Sequence, residues 1–190
     1  MHSQLRRFLF LLLLALPFTQ ALADEYGDTV KIFREAGESA KFFKSCYGYA
    51  VFPTIGKGGF VVGASHGDGR VYAGGKHVGD TSMTQITVGA QLGGQAYSQI
   101  IFFRDKRAFD EFTSGNFEFG AQATAVAITA GASAQASTGG TSAGASGTER
   151  HAKTAGHYQR GMAVFTVVKG GLMYEASIGG QKFDYTPKKK

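Results

Sequence analysis

The chain has 190 residues, a single cysteine, no tryptophan, 28 glycines and a formal net charge of +6. One cysteine excludes an internal disulfide and a cysteine-built zinc site, and so much glycine argues against a helical bundle and for a turn-rich β protein. The mild basicity suits an anionic surface without demanding one, and neither a nucleic-acid partner nor a cofactor is expected.

The first 23 residues, MHSQLRRFLFLLLLALPFTQALA, pair Arg6 and Arg7 with an apolar run from Phe8 to Leu16 and end in Ala21-Leu22-Ala23. This is the pattern of a secretory signal peptide, and the run is too short for a membrane span. Its removal would take two arginines and no acid, lowering the charge to about +4. Residues 24–190 then form one domain, exported to the periplasm or the outer-membrane periphery, with secretion as a further possibility.

Residues 28–47 read as one amphipathic helix. Phe33, Ala36, Ala40, Phe43 and Tyr47 recur every three or four positions, while Lys31, Arg34, Glu35, Glu38 and Lys41 share the opposite face. Lys31–Glu35 and Arg34–Glu38 have the spacing of ion pairs one turn apart. Phe42 falls among the charges. Two readings are open for it: an exposed contact for a membrane or partner, or an aromatic covered by another segment.

The apolar period then changes to two. AVFPTIGKGGFVVGAS (50–65) is echoed by AVFTVVKGGLMYEAS (163–177), and LGGQAY (92–97) by IGGQKF (178–183). Each Lys-Gly-Gly reads as a turn joining two apolar runs, glycine supplying positive φ and lysine standing at the tip. Asp68-Gly69, following His66-Gly67, reads as the tight turn of a hairpin whose return begins at Arg70. From Ile86 to Phe102 one long alternation puts Ile86, Val88, Leu92, Ile100 and Phe102 on one face and Gln85, Thr87, Gln91, Gln95 and Gln99 on the other. Gly93-Gly94 marks a bend within it. Residues 104–116 form a short helix closed by Gly115. The Ala/Gly/Ser/Thr-rich stretch 119–148 begins as a strand of small side chains and gives way to a flexible loop near 137–150. Two apolar runs, 161–168 and 172–178, and a basic tail complete the chain.

Motifs for chemistry are weak. Gly56-Lys57 lacks the spacing and following hydroxyl of a P-loop, and neither His-Glu-x-x-His nor a dinucleotide-binding glycine pattern occurs. His66 and Asp68 fall short of the three or four ligands a metal needs. His151 and His157 read as solvated. Cys46, at the end of the helix, reads as a packing residue rather than an activated thiol. No catalytic or metal site is expected. If the two Lys-Gly-Gly tips lie together, Lys57 and Lys169 with flanking amides would form an anion-binding patch; solvated turn lysines are the alternative.

GYAVFP, KGGFVVGAS, GAQLGGQAYSQIIFF and KGGLMYEASIGGQKFDY, in this order over residues 30–187, resemble the SYLF domain family. The resemblance implies binding to anionic phospholipid membranes through an N-terminal amphipathic helix and basic residues. In this chain these correspond to Lys31, Arg34, Lys41, Phe42 and Lys44, with Lys57 added from the first hairpin. The actin link of eukaryotic members is not carried over. The fold expected is α+β: an N-terminal amphipathic helix on a strongly bent, mainly antiparallel sheet, either open or partly closed into a barrel. The function expected is a non-enzymatic phospholipid-binding protein of the bacterial envelope. The alternative is a structural or interaction module with an unidentified protein partner.

Overall fold

The computed structural model describes residues 25–59, 62–88, 93–121, 123, 125–128, 157–171 and 178–189. The expected signal peptide and the 137–150 loop lie outside them.

The N-terminal segment is three short pieces rather than one helix. Helix α1 spans Glu25–Glu35, α2 spans Gly37–Ala40, and a 3-10 turn spans Phe42–Lys44. The break is at Ala36, whose backbone is extended (φ −77°, ψ 117°), next to helix-disfavouring Gly37. Side chains beyond it no longer follow the angular sequence of α1. Phe42 is thereby turned inward and is 4% exposed, against Phe102, Tyr158 and Phe165. The covered reading of Phe42 is the one the structure adopts.

Strands β1 (Gly48–Gly59), β2 (Val62–Ala73), β3 (Lys76–Val88), β4 (Gly93–Phe103), β5 (Phe117–Glu118), β6 (Val126–Ile128), β7 (Met162–Gly171) and β8 (Lys182–Pro187) form one sheet. Its order is β5-β8-β3-β2-β1-β4-β7-β6. All pairings are antiparallel except β6 with β7. The sheet curls into a half-barrel, so the α+β class and the strong bend are as expected. Helix α3 (Lys106–Phe112) is capped by Asp105, whose carboxylate accepts from the Ala108 N–H at 3.0 Å, and Gly115 follows in the left-handed region.

Three local expectations are corrected by tertiary packing. Asp68-Gly69 is not a turn. β2 runs straight through it to Gly74-Gly75, where both residues have positive φ and make the real hairpin. Gly67 and Gly69 are needed for space: a Cβ on Gly69 would stand 2.6 Å from the Phe52 ring, and one on Gly67 2.7 Å from Ile55. Residues 86–103 are not one bent strand but β3 and β4, separated in the sheet by β2 and β1. The curl comes from bulges rather than from double glycines. Pro53 and Thr54 together stand opposite Ser98, and Lys169 is an extra residue between Val168 and Gly170.

The sheet buries both faces. On the outer one, α1 and the 3-10 turn lay Phe33 and Phe42 on Val51, Ile100, Phe102 and Phe165. On the concave one, Phe52, Ile55, Met83, Ile101, Phe103 and Phe183 meet Phe112 of α3 and Phe119. The segment 178–181 crosses the concave side, paired by backbone hydrogen bonds with 119–123.

Candidate functional site

The basic residues singled out from the sequence do not converge on one site. Lys31, Arg34, Lys41 and Lys44 are all exposed. Between Glu25 and Tyr47 four bases are matched by four acids, Glu25, Asp28, Glu35 and Glu38. Glu38 pairs with Lys41 at 3.1 Å. The Arg34 guanidinium lies over the Phe43 ring at 4.3 Å, a cation–π contact that holds it against the segment it leaves. Lys31 and Lys44 form no ion pair among the described residues. Ile32 and Tyr47, each 41% exposed, are the large apolar side chains open on this segment.

Lys57 and Lys169 are the larger correction. Neither caps a hairpin tip, and they lie on opposite faces of the sheet, so they do not form one anion patch. Lys57 is inside β1, two residues past Ile55 and therefore on the concave face, level with Ser65 and Gln95 on the flanking strands. Lys169, the bulged residue of β7, reaches over β4 on the outer face. Its Nζ donates to Thr54 Oγ1 at 2.9 Å and lies 3.6 Å from the Glu25 carboxylate, while Thr54 donates to Glu25 at 2.9 Å. This charge is spent on fastening the start of α1 to the bend of the sheet. Gly59 keeps the role given to it: its φ of +154° and the closeness of Val62 and Gly63 leave no room for a Cβ.

The glutamines are the residues whose burial the sequence pattern does not reveal. Gln85, Gln95 and Gln99 are buried on the concave face, and Ile86 is 70% exposed on the outer one. Gln99 and Gln181 exchange amide hydrogen bonds at 2.9 and 3.2 Å, Gln181 also donates to the Tyr97 hydroxyl at 3.3 Å, and Gln85 donates to the Gly179 carbonyl at 2.9 Å. Around these amides stand three hydroxyls whose oxygens are buried without a hydrogen-bond partner among the described residues: Ser65, Thr87 and Thr166. Each such group costs about 1–3 kcal/mol relative to a satisfied one. The signal that could have located this layer was the glutamine at alternate positions. The alternation sets that face apart without saying that it is buried, because burying an amide requires a partner, and the partner, Gln181, is 82 residues away from Gln99.

Outside these regions, a cleft of about 300 Å³ beside Tyr26 is lined by Asp68, Asp80 and Asp184 and repels anions. Burial raises the Cys46 thiol above its ordinary value, with weaker opposition from its own backbone and Arg34, so it is a packing residue and not an activated nucleophile. Among the described residues no three His, Cys, Asp or Glu side chains are placed to hold a metal. Nor is any described helix long and apolar enough to cross a membrane.

Comparison with known proteins adds two findings. A family model described as Ysc84, Las17-binding protein actin regulator, matches residues 84–187, more than half of the chain. Beta cell expansion factor A of Aeromonas veronii is 30% identical over 158 residues, covering 81% of this chain and 51% of that protein. The chain thus spans about half the length of this relative.

Proposed function

The chain belongs to the Ysc84 (SYLF) family, and from that premise we propose that it is a non-enzymatic, peripheral phospholipid-binding protein of the bacterial envelope. Membership supports a lipid-binding or actin-regulator-like module, and export by a signal peptide would place this one where anionic lipid is the available target. The observation that carries the reading is the open surface of residues 31–47. Lys31 and Lys44 stand there without acidic partners among the described residues, on a segment that also exposes Ile32 and Tyr47. Lysines near an anionic surface contribute about 1 kcal/mol each, and the four nearby acids offset part of this. Binding is therefore weak, reversible and screened within about a Debye length, roughly 8–10 Å near physiological salt.

Co-sedimentation with phosphatidylcholine vesicles, with and without phosphatidylglycerol, tests this at low and high salt. Pelleting should require phosphatidylglycerol and fade with salt. The pair Lys31→Glu and Lys44→Glu should weaken it by roughly tenfold or more. Equal pelleting with neutral vesicles, or indifference to both charge reversals, would remove the proposal. A second reading, docking to a protein partner, draws on Val62 and Ile86, 59% and 70% exposed and near-neighbours at one end of β2 and β3. It predicts oligomers or partner capture that persist without lipid and weaken in Ile86→Ser.

A further inference from the structure

Helix α1 and the 3-10 turn cover the outer face of the sheet over β1, β4 and β7. Over β2, β3 and β8 the outward side chains Val62, Asp68, Asp80, Ile86 and Asp184 are exposed. This bare face runs from apolar to acidic. Ala64 stands opposite Ile86 at one end; two rows on, Asp68, Ser82 and Asp184 lie side by side, and Asp80 follows in the next row. The three carboxylates line the cleft of about 300 Å³ together with Tyr26 and the hydroxyls of Ser82 and Thr186. The bases of the face are drawn elsewhere. Arg70 is directly opposite Asp80, yet its guanidinium lies over the Tyr26 ring at 4.1 Å, and Lys182 lies 3.6 Å from Glu118. Among the described residues no lysine or arginine pairs with these carboxylates. Asp68 has His66 at 3.8 Å, Asp80 has His77 at 3.0 Å, and Asp184 accepts from Ser82 at 3.4 Å. In a chain of net charge +6, three like charges gathered around one hollow repel one another and do not serve the fold.

We infer that this face docks a protein segment carrying an apolar residue and an arginine or lysine about 13 Å apart, the rise of four residues of extended chain. The apolar side chain would rest on Val62 and Ile86, and the cation would enter the cleft among the carboxylates. The spacing is that from Ile86 to Ser82 along β3, Ser82 being level with Asp68 and Asp184. Charge complementarity selects a basic partner, and a guanidinium suits the cleft better than an ammonium because its flat fork donates to two acceptors at once. A metal ion does not fit, since among the described residues no three His, Cys, Asp or Glu side chains are placed to hold one. A free amine would use the cleft and leave the apolar end bare, whereas a peptide segment uses both. Such docking presupposes the second reading above, a protein partner at Val62 and Ile86, and gives that partner its chemistry. It involves neither Lys31 nor Lys44.

The probe is the peptide Leu-Thr-Leu-Thr-Arg, blocked at both ends, whose leucines and arginine share one face when extended. Leu-Thr-Leu-Thr-Glu, Ser-Thr-Ser-Thr-Arg and agmatine serve as controls. Amide chemical-shift titration is measured for the wild-type chain, for Asp68→Asn with Asp184→Asn, and for Ile86→Ser. All three substituted side chains are exposed, so the fold should survive. The arginine peptide should bind about tenfold more tightly than any control, shift the amides of Ser82, Asp184 and Ile86, and weaken with salt. The carboxylate variant should lose about tenfold in affinity together with the preference for arginine over glutamate. Ile86→Ser should lose a similar factor together with the preference for leucine over serine. Overturning results are an absence of binding by the arginine peptide, equal binding by the two leucine peptides, or agmatine binding as tightly, which would give the cleft to a free cation. If the carboxylate variant keeps its affinity while Ile86→Ser loses it, docking at the apolar end stands and only the basic partner is overturned. If Ile86→Ser keeps its affinity while the carboxylate variant loses it, the docking reading fails, and the two-point segment with it.

Discussion

Strand β4 passes through two unlike regions of the sheet. From Ile100 to Phe103 every side chain is fully buried, Ile100 and Phe102 beneath the N-terminal helices and Ile101 and Phe103 against α3 and its neighbours. From Gly94 to Gln99 the same strand carries glycine, glutamine, alanine, tyrosine and serine, and its neighbour β1 carries Gly56, Gly58 and Gly59. The boundary falls at the bulges of Pro53-Thr54 and Lys169, which flank β4 on both sides. One end is covered on both faces and supplies the stability. The other keeps its outer face open at Val62 and Ile86 and its inner face polar. A protein that needed only to persist would gain by extending the aromatic end, so the glycine-rich end is not explained by stability alone.

The largest effect should come from the aromatic end. Phe102 is fully buried and its ring meets those of Phe42, Phe43, Tyr49 and Phe165. Phe102→Ala should cost about 3–5 kcal/mol, a Tm loss on the order of 10 °C for a chain of this size. Ile86→Ala at the other end should stay within about 0.5 kcal/mol. Thermal unfolding of the two variants side by side checks this. Comparable losses would erase the distinction between the ends.

Glycines sharpen the comparison, because they serve different purposes on the two sides of the bulges. Gly69 gives its space to the Phe52 ring, so Gly69→Ala should cost roughly 1–3 kcal/mol by overpacking. Gly58 has no heavy atom within 4 Å of where a Cβ would stand, and Gly58→Ala should be neutral within about 0.5 kcal/mol or mildly stabilising through the unfolded chain. Chemical denaturation resolves these values. A costly Gly58→Ala would mean that something packs on that face.

Much of this was legible beforehand, and the errors share a cause. Fold class, family, the capped helix α3 and the burial of the apolar stripe through Phe33 and Ala36 follow from local pattern, which the chain carries in consecutive residues. Asp68-Gly69 has the local chemistry of a turn, yet it lies within β2 because Phe52, from another strand, needs the room. The alternation of Gln95 and Gln99 is plainly β, but which face is inside depends on Gln181 and on the curl. Lys57 and Lys169 sit in the same short motif and end on opposite faces, because the two copies enter the sheet facing opposite ways: Phe52 is on the concave side and Phe165 on the outer one. Periodicity names the strand; long-range partners and bulges decide where each side chain faces.

The smallest effect is the one that joins the two regions. Glu25 begins α1, and its carboxylate meets Thr54 Oγ1 and Lys169 Nζ where both bulges face the helix. Both charged side chains are partly exposed, Lys169 at 36% and Glu25 at 47%, so solvent screens the pair. A double-mutant cycle of Glu25→Gln and Lys169→Met should give a coupling of about 0.2–1 kcal/mol that shrinks with added salt. Its structural signature should exceed its energy: amide exchange should rise in the first turn of α1 while Phe33 and the strands beneath it stay protected, since that end of the helix is held by Glu25 and Tyr26 and the other by the aromatic core. If exchange rose equally throughout α1 and β1, the helix and sheet would be one cooperative unit, and the bulged end would not be the separately loosened region that the comparison requires.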